Sequence, residues 1–205
     1  MIAFLHTSKV HIERFEALVR KYNKAIETKH YVNKELLDNA LLNGVTDTSL
    51  FNIELETIRK DRPLLLICTC STYGSESDNH EDVYRIDKPI IDYLVSNYTK
   101  IGLVYTANST KTVSENLIVK LAAEKGKTIE IVNCDCSEYW IHFENGDFTT
   151  YEKEIAKNIK TMASKVDVIF LAQASMEGAK HYLTDIKKEV YTSPEFGIAQ
   201  LLKKV

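Results

Sequence analysis

Short apolar runs alternate with helix-like stretches along the first half of the chain. The runs are aliphatic on both faces, whereas the stretches between them carry apolar residues three or four positions apart. This pattern predicts strands at 2–7, 30–33, 64–70 and 83–86, and helices at 11–27, 34–43, 47–60 and around Pro89. Doubly apolar strands separated by helices are typical of a parallel sheet covered on both sides.

The second half of the chain repeats the same order of strand-like runs. IAFLHTS at 2 corresponds to IGLVYTANS at 101, YVN at 31 to IVN at 131, LLICTCST at 65 to IFLAQASM at 169, and VYRIDKP at 83 to VYTSPEF at 190, with offsets of 99 to 107. The third pair aligns Cys70 with Gln173 at an offset of 103. Any α/β protein contains similar strands, but here the order and the hydroxyl-rich strand ends recur as well.

The repeat predicts an α/β fold of two pseudo-symmetric lobes, each a parallel sheet flanked by helices, with a cleft between them. We expect an N-terminal lobe at 1–97, a C-terminal lobe at 98–194, and a closing C-terminal helix at 195–205. Because ligands of open α/β sheets bind beyond the carboxyl ends of the strands, the residues that follow the strands become the candidate site.

Composition narrows the classes of function. The 205 residues are 44% hydrophobic and 27% charged with a net charge of −3, which favours a globular protein with no nucleic-acid or membrane partner. The N-terminus MIAFLHTSKVHIERF turns polar after five residues, which is not typical of a signal peptide and predicts a cytoplasmic protein. The chain contains no Gly-rich phosphate loop and no HExxH or GxSxG motif, which argues against a nucleotide-dependent enzyme, a zinc protease of that type and a serine hydrolase.

The four cysteines occur as two C-x-C pairs, Cys68/Cys70 and Cys134/Cys136. A four-thiolate zinc site is one interpretation, but structural zinc pairs keep two to four residues between their cysteines, so no metal is expected. We expect Cys68 to lie one pleat deeper in its strand than Cys70. Cys134 and Cys136 are expected to be ordinary loop thiols near the rim of the second lobe.

These segments resemble the aspartate/glutamate racemase superfamily, which includes aspartate, glutamate and hydantoin racemases, maleate isomerase and arylmalonate decarboxylase. CTCST after the first central strand, LAQASM after the second, and HYVNKELL, VYRIDKPIID, IGLVYTANST and VYTSPEFGIAQLL elsewhere carry the resemblance over nearly the whole chain. It implies cofactor-independent proton transfer at the carbon next to a carboxylate, performed in the racemases by two cysteines on opposite sides of that carbon.

The resemblance assigns roles to residues at the strand ends. It makes Cys70 a catalytic thiol, and it implies that hydroxyls and backbone amides after the strands bind the substrate. The substrate-binding residues predicted in this way are Thr7, Ser8, Ser71, Thr72, Thr106, Ser109, Thr110, Gln173, Ala174 and Ser175. Possible homodimer formation is a further property implied by the family.

This sequence departs from the racemase pattern at its second catalytic position, which is Gln173. A carboxamide donates hydrogen bonds but has no proton to exchange with carbon, so a symmetric two-thiol mechanism is not expected. His6 ends the first strand, where glutamate racemases carry an acidic residue. We therefore predict that His6 is catalytic, either by orienting Cys70 or by donating the second proton.

Two functions remain open at this stage. The first is a racemase-like enzyme, in which Cys70 transfers a proton at the carbon α to a carboxylate of a small acid or amino acid, as a racemase, isomerase or decarboxylase. The second is an inactive protein that binds or senses a carboxylate. For the enzyme, we expect the pKa of Cys70 to lie below that of a free thiol, because hydroxyls and the backbone amides of a following helix would stabilise the thiolate.

Overall fold

Two four-stranded parallel sheets form the framework of the computed structural model, which describes residues 1–205. The first sheet has the order β2-β1-β3-β4 and contains β1 (Ile2–His6), β2 (Thr28–Val32), β3 (Leu65–Cys68) and β4 (Val83–Arg85). The second has the order β6-β5-β7-β8 and contains β5 (Lys100–Tyr105), β6 (Glu130–Asp135), β7 (Val168–Leu171) and β8 (Val190–Thr192). The predicted α/β fold of two similar halves, each with a parallel sheet, is confirmed.

Nine α-helices connect or flank the strands. They are α1 (Ile12–Tyr22), α2 (Lys34–Asn43), α3 (Thr48–Arg59), α4 (Gly74–Ser77), α5 (Lys88–Asn97), α6 (Asn108–Glu124), α7 (Trp140–Glu144), α8 (Phe148–Met162) and α9 (Ser193–Leu201). Helix α1 ends five residues earlier than predicted, because Asn23 adopts an extended backbone with φ −153°. No helix has both the length and the apolar composition that a membrane crossing requires.

The chain divides into two compact units. The first unit comprises Met1–Pro89 together with Pro194–Val205, and the second comprises Ile90–Ser193. The C-terminal helix is therefore part of the first unit, where Ile198 and Leu201 pack against Phe15 and Val19 of α1. The division falls at residue 90, before the predicted lobe boundary at 97.

The strand registers define equivalent positions in the two units. Ile2 of β1 pairs with Leu65 of β3 in the first sheet, and Ile101 of β5 pairs with Val168 of β7 in the second. If Ile2 is matched to Ile101, at an offset of 99, the pairing matches Leu65 to Val168, at an offset of 103. Cys70 and Gln173 are therefore equivalent within their own units. The predicted alignment of the outer strands β2 and β6 is wrong. Ile2 pairs with Thr28 and Ile101 pairs with Ile131, so residues of β2 and β6 correspond at an offset of 103, whereas the sequence alignment used an offset of 100.

Apolar side chains cover both faces of the central strands, which explains why the polar residues are found at the strand ends. In the first unit, Ala3 and Leu5 face the core formed with α2 and α3, whereas Ile2 and Phe4 face the core formed with α1 and α9. In the second unit, Ile169 packs against α8. All residues of β1, β3 and β7 are buried, so the first positions available for chemistry come directly after them.

Candidate functional site

Cys70 lies two residues beyond the end of β3, at the start of a 3₁₀ turn, Ser71–Tyr73, that leads into the single turn of α4. Its backbone is extended, with φ −89° and ψ 111°. Cys70 is partly exposed, whereas Cys68 is only 1% exposed. Cys68 donates a hydrogen bond to the carbonyl of Cys70, and burial raises its pKa to about 12. Cys70 is therefore the accessible thiol of this pair.

Hydrogen-bond donors surround the sulfur of Cys70. The Thr7 and Thr72 hydroxyls and the backbone N–H groups of Thr72 and Tyr73 all stabilise its thiolate form. Burial is nevertheless the larger effect, and it raises the pKa of Cys70 above the usual value for a cysteine. The expectation that Cys70 has a lowered pKa is therefore wrong: in the free protein the thiol keeps its proton at neutral pH.

A buried arginine supports the segment that carries Cys70. Arg85, the last residue of β4, donates to both carboxylate oxygens of Asp87 at 2.7 and 2.8 Å and to Asp78 at 2.9 Å. Its guanidinium lies against Gly74, where an added Cβ would be 2.3 Å from Cζ of Arg85. Glycine at this position lets the arginine pass directly beneath the turn that follows Cys70. Sequence analysis missed this contact, although a glycine four residues after Cys70 was visible.

His6 is fully buried at the end of β1 and uses both ring nitrogens. Nδ1 lies 2.8 Å from Oγ1 of Thr69, and Nε2 lies 2.8 Å from Nδ1 of His30. Because the Thr69 hydroxyl donates to the Leu5 carbonyl, we assign the His6 proton to Nδ1, and Nε2 accepts from His30. Burial and the neighbouring His30 lower the pKa of His6 to about 3. The catalytic role of His6 stays a prediction.

In the second unit, Gln173 occupies the position equivalent to Cys70. Its backbone is also extended and also precedes a 3₁₀ helix, Ala174–Tyr182. The carboxamide oxygen Oε1 accepts from the backbone N–H of Thr106 at 2.7 Å and from its hydroxyl at 3.0 Å. Thr106 is equivalent to Thr7 at the offset of 99, so the corresponding threonine in each unit bonds the corresponding strand-end residue.

Tyr151 extends this arrangement, and the sequence analysis did not include it among the candidate residues. Its hydroxyl lies 3.2 Å from Oγ1 of Thr106 and 3.0 Å from Oγ of Ser175. The side chain is fully buried in the first turn of α8, and burial raises its pKa to about 12. Tyr151 therefore keeps its proton and can donate one hydrogen bond at neutral pH.

The remaining predicted binding residues lie at the same edge of their own sheets. Ser8 follows β1, and Ser71 follows β3, its neighbour in the first sheet; Ser109 and Thr110 lie in the first turn of α6 after β5, and Ala174 follows β7. Thr110 is 2% exposed, and Ser71 and Ala174 are each 7% exposed, while Ser8 and Ser109 are more accessible. Their substrate-binding role stays a prediction.

The sequence analysis expected the second cysteine pair to be loop thiols near the rim, and this is wrong for Cys134, which lies in a strand. Cys134 belongs to β6 and Cys136 follows it directly, and both side chains are buried in the apolar core of the second unit. The sulfur atoms are 3.9 Å apart and both cysteines are free thiols. No group of three or more histidine, cysteine, aspartate or glutamate side chains is arranged to hold a metal ion.

Comparison by sequence finds no match among protein-family models or curated proteins. Comparison of structures finds an aspartate racemase from Picrophilus torridus, with a TM-score of 0.77 and 15% identity over 98% of this chain and 92% of that one. A glutamate racemase from Francisella tularensis in complex with D-glutamate has a TM-score of 0.75 and 11% identity, covering 98% of this chain and 79% of the other.

A maleate isomerase from Pseudomonas putida also has this fold, with a TM-score of 0.58 and 12% identity over 98% of this chain and 90% of that one. The resemblance to the aspartate/glutamate racemase superfamily is thus confirmed at the level of the fold. At these identities the likeness carries no assignment of activity to individual residues.

Proposed function

We propose that this protein is a cofactor-independent enzyme in which Cys70 transfers a proton to or from the carbon α to a carboxylate of a small acid. One observation carries the proposal: the partly exposed sulfur of Cys70 follows the central strand β3 and is hydrogen-bonded by two hydroxyls and two backbone N–H groups. Such donors stabilise the thiolate that remains after the proton has left. The fold shared with racemases and an isomerase is consistent with this chemistry.

The raised pKa of Cys70 favours proton donation as the first task of the thiol. In that step the S–H bond breaks, and the electron pair of an enolate-like carbon forms the new C–H bond. The thiolate stays hydrogen-bonded to Thr7 and Thr72 and recovers its proton from water. A decarboxylation that leaves an enolate needs this step alone, whereas racemisation and isomerisation also need a base to remove a proton.

We propose that hydroxyls and backbone amides bind the carboxylate, because preorganised donors stabilise negative charge as it develops. In the first unit these groups belong to Thr7, Ser8, Ser71 and Thr72. In the second they belong to Thr106, Ser109, Thr110, Gln173, Ala174 and Ser175. His6 acts through Thr69: its hydrogen bond holds the Thr69 hydroxyl, directly before Cys70, against the end of β1. We therefore propose it as a positioning residue for Cys70.

A carboxylate-binding protein without turnover is the second candidate. Two observations favour it, the carboxamide of Gln173 at the position equivalent to Cys70 and the raised pKa of Cys70. Binding requires donors but no thiolate. The two candidates therefore differ in whether Cys70 exchanges its proton with a bound acid.

The deciding experiment combines binding and proton exchange. Both enantiomers of aspartate and glutamate, allantoin, maleate and phenylmalonate are incubated with the protein in D₂O, and NMR follows deuterium incorporation, isomerisation and loss of CO₂. Calorimetry measures binding of the same compounds. We expect Cys70→Ala to reduce turnover by about 10²–10⁴-fold, the range of general acid–base catalysis, with binding retained.

Cys68→Ala is the matched control, since Cys68 lies two residues away but is buried, and its turnover should stay near that of the wild type. Binding by the wild type with no turnover of any compound would replace the enzyme by the carboxylate-binding protein. Turnover that survives Cys70→Ala would remove Cys70 from the mechanism.

A further inference from the structure

Four polar groups form a continuous hydrogen-bonded chain in the second unit. It runs from Oε1 of Gln173 to Oγ1 of Thr106 at 3.0 Å, then to the hydroxyl of Tyr151 at 3.2 Å, and on to Oγ of Ser175 at 3.0 Å. The two inner members, Thr106 and Tyr151, are 2% and 0% exposed, whereas Gln173 and Ser175 are partly exposed. The chain therefore begins and ends at groups that a ligand can reach.

The chemistry of the groups fixes the direction of every hydrogen bond in this chain. The backbone N–H of Thr106 lies 2.7 Å from Gln173, and because this group can only donate, the carboxamide must present its oxygen there. The Thr106 hydroxyl then donates to the same oxygen. Since each hydroxyl has one proton, Thr106 must accept from Tyr151, and Tyr151 must accept from Ser175, for all the bonds to form.

This direction leaves different groups available at the two ends. Gln173 keeps both N–H donors of its carboxamide nitrogen, and Ser175 keeps only the lone pairs of its oxygen. We propose that Tyr151 is a positioning residue that fixes these hydrogen-bond directions. The segment after β7 then binds a ligand that places a carboxylate at Gln173 and an N–H donor at Ser175. The inference rests on the proposed function in that it assumes a small acid as the ligand.

The first unit contains a natural counterpart of Tyr151 that lacks its hydroxyl. Asp47 caps α3 by accepting from Leu50, and Asp147 caps α8 in the same way by accepting from Thr150. The residue four positions after each cap donates its backbone N–H to the cap carbonyl; it is Phe51 in the first unit and Tyr151 in the second. Both rings are fully buried.

The test uses Tyr151→Phe and two probes that share a carbon skeleton and both carboxylates. Aspartate, assayed as each enantiomer, carries an ammonium group that succinate lacks. We expect the wild type to bind one aspartate enantiomer about tenfold more tightly than succinate, the effect of one hydrogen bond to a charged group. In Tyr151→Phe the Ser175 hydroxyl is released from Tyr151 and can donate, so this preference should fall to about twofold or less.

A purely structural role for Tyr151 predicts a different result, because the affinities for both probes would then fall together and their ratio would not change. That outcome overturns the proposal. Ser175→Ala is the matched control: it removes the acceptor, keeps Tyr151, and should abolish the same preference.

A measurement without ligand separates this inference from the proposed function. The buried hydroxyl proton of Tyr151 should show its stronger nuclear Overhauser effects to the Thr106 side chain. Stronger effects to the β-protons of Ser175 would mean that the chain runs in the opposite direction, which would overturn the inference. Failure of both probes to bind, with the expected Tyr151 signals present, would instead contradict acid binding in the proposed function.

Discussion

The two units share their strand order and differ in what they place after the central strand. In the first unit a threonine, Thr7, hydrogen-bonds a thiol, and in the second the equivalent Thr106 hydrogen-bonds a carboxamide. Both units thus keep the threonine as a hydrogen-bond partner, but the group that it bonds differs. The Cys70 thiol has a transferable proton, whereas the Gln173 carboxamide can only form hydrogen bonds. The comparison teaches that an α/β repeat can preserve the geometry of a strand end while placing a thiol in only one unit.

The largest expected effect comes from making the two units alike. In Gln173→Cys, the new thiol takes the position equivalent to Cys70, and the Thr106 N–H and hydroxyl that bound Oε1 become available to stabilise a thiolate. The wild type, with one thiol, should incorporate deuterium into a chiral substrate with retention of configuration. On the sequence prediction that positions 70 and 173 act on the same substrate carbon, the variant should produce both enantiomers, because it has a second acid–base group.

The measurement is NMR and chiral chromatography of aspartate and glutamate after incubation in D₂O. Gln173→Ser provides the control, since it also shortens the side chain but supplies no thiol. If a bound substrate is racemised by neither the wild type nor Gln173→Cys, the equivalence of positions 70 and 173 has no catalytic meaning.

Acid sensitivity should also distinguish the units. Burial lowers the pKa of His6 to about 3 and that of His11 to about 4, and it also lowers the pKa of His30; all three belong to the first unit. The unfolded chain takes up a proton at each histidine near pH 6.5, while folded His6 stays neutral down to about pH 3. Stability contributed by His6 is therefore complete above pH 6.5 and falls between pH 6.5 and 3, by on the order of 5 kcal/mol.

Urea unfolding at a series of pH values tests this expectation. His6→Gln should flatten the dependence of the unfolding free energy on pH in that window by roughly one bound proton. The corresponding change at the exposed His181 of the second unit, His181→Gln, should leave the slope as it is. Equal effects of the two changes would show that buried histidines do not set the acid sensitivity.

Much of the fold could be predicted because the central strands are apolar on both faces. This pattern is typical of strands in a parallel sheet that is covered by helices on both sides. Outer strands carry less information: no residue of β2 is fully buried, and its predicted alignment with β6 was wrong by three residues. Without a continuous apolar pattern, the sequence does not fix the register of such a strand.

The alignment of the strand ends could be predicted from the sequence, but the energetics of the groups at those ends could not. Cys70 and Gln173 were aligned correctly because the hydroxyl-rich segment follows an apolar run in both units. The pKa of Cys70 depends on the balance between burial and hydrogen bonding, which is a property of the packed structure. Tyr151 was missed for the same reason, since the partners of its hydroxyl come from the segments that follow β5 and β7, which are distant in the sequence.

A buried arginine supports the strand end in the first unit. The Arg85 guanidinium lies under Gly74 and is fixed by Asp87 and Asp78, so it cannot move aside for an added methyl group. Gly74→Ala should lower the unfolding free energy by about 1–3 kcal/mol through overpacking. Chemical denaturation measures this, and Ser75→Ala, at the exposed next position, should change stability by less than about 0.5 kcal/mol. A stability of Gly74→Ala equal to that of Ser75→Ala would mean that the arginine adapts.

The smallest effect concerns two fully buried tyrosines with different partners. In the first unit, Tyr73 donates to the Leu36 carbonyl at 2.9 Å and accepts from the backbone N–H of Asp47 at 3.0 Å. In the second, Tyr151 bonds the hydroxyls of Thr106 and Ser175. Backbone groups cannot reorient when a partner is removed, whereas hydroxyls rotate to other acceptors or to solvent.

We therefore expect Tyr73→Phe to lower the unfolding free energy by about 1–3 kcal/mol, and Tyr151→Phe to lower it by about 1 kcal/mol or less. Urea denaturation of the two variants at neutral pH provides the comparison, because each change removes one hydroxyl from a fully buried ring. The test is which of the two variants loses more unfolding free energy, and the size of each loss is less important. If Tyr151→Phe were the more damaging change, the Tyr151 hydroxyl would contribute mainly to stability, and its role in orienting Gln173 and Ser175 would lose its support.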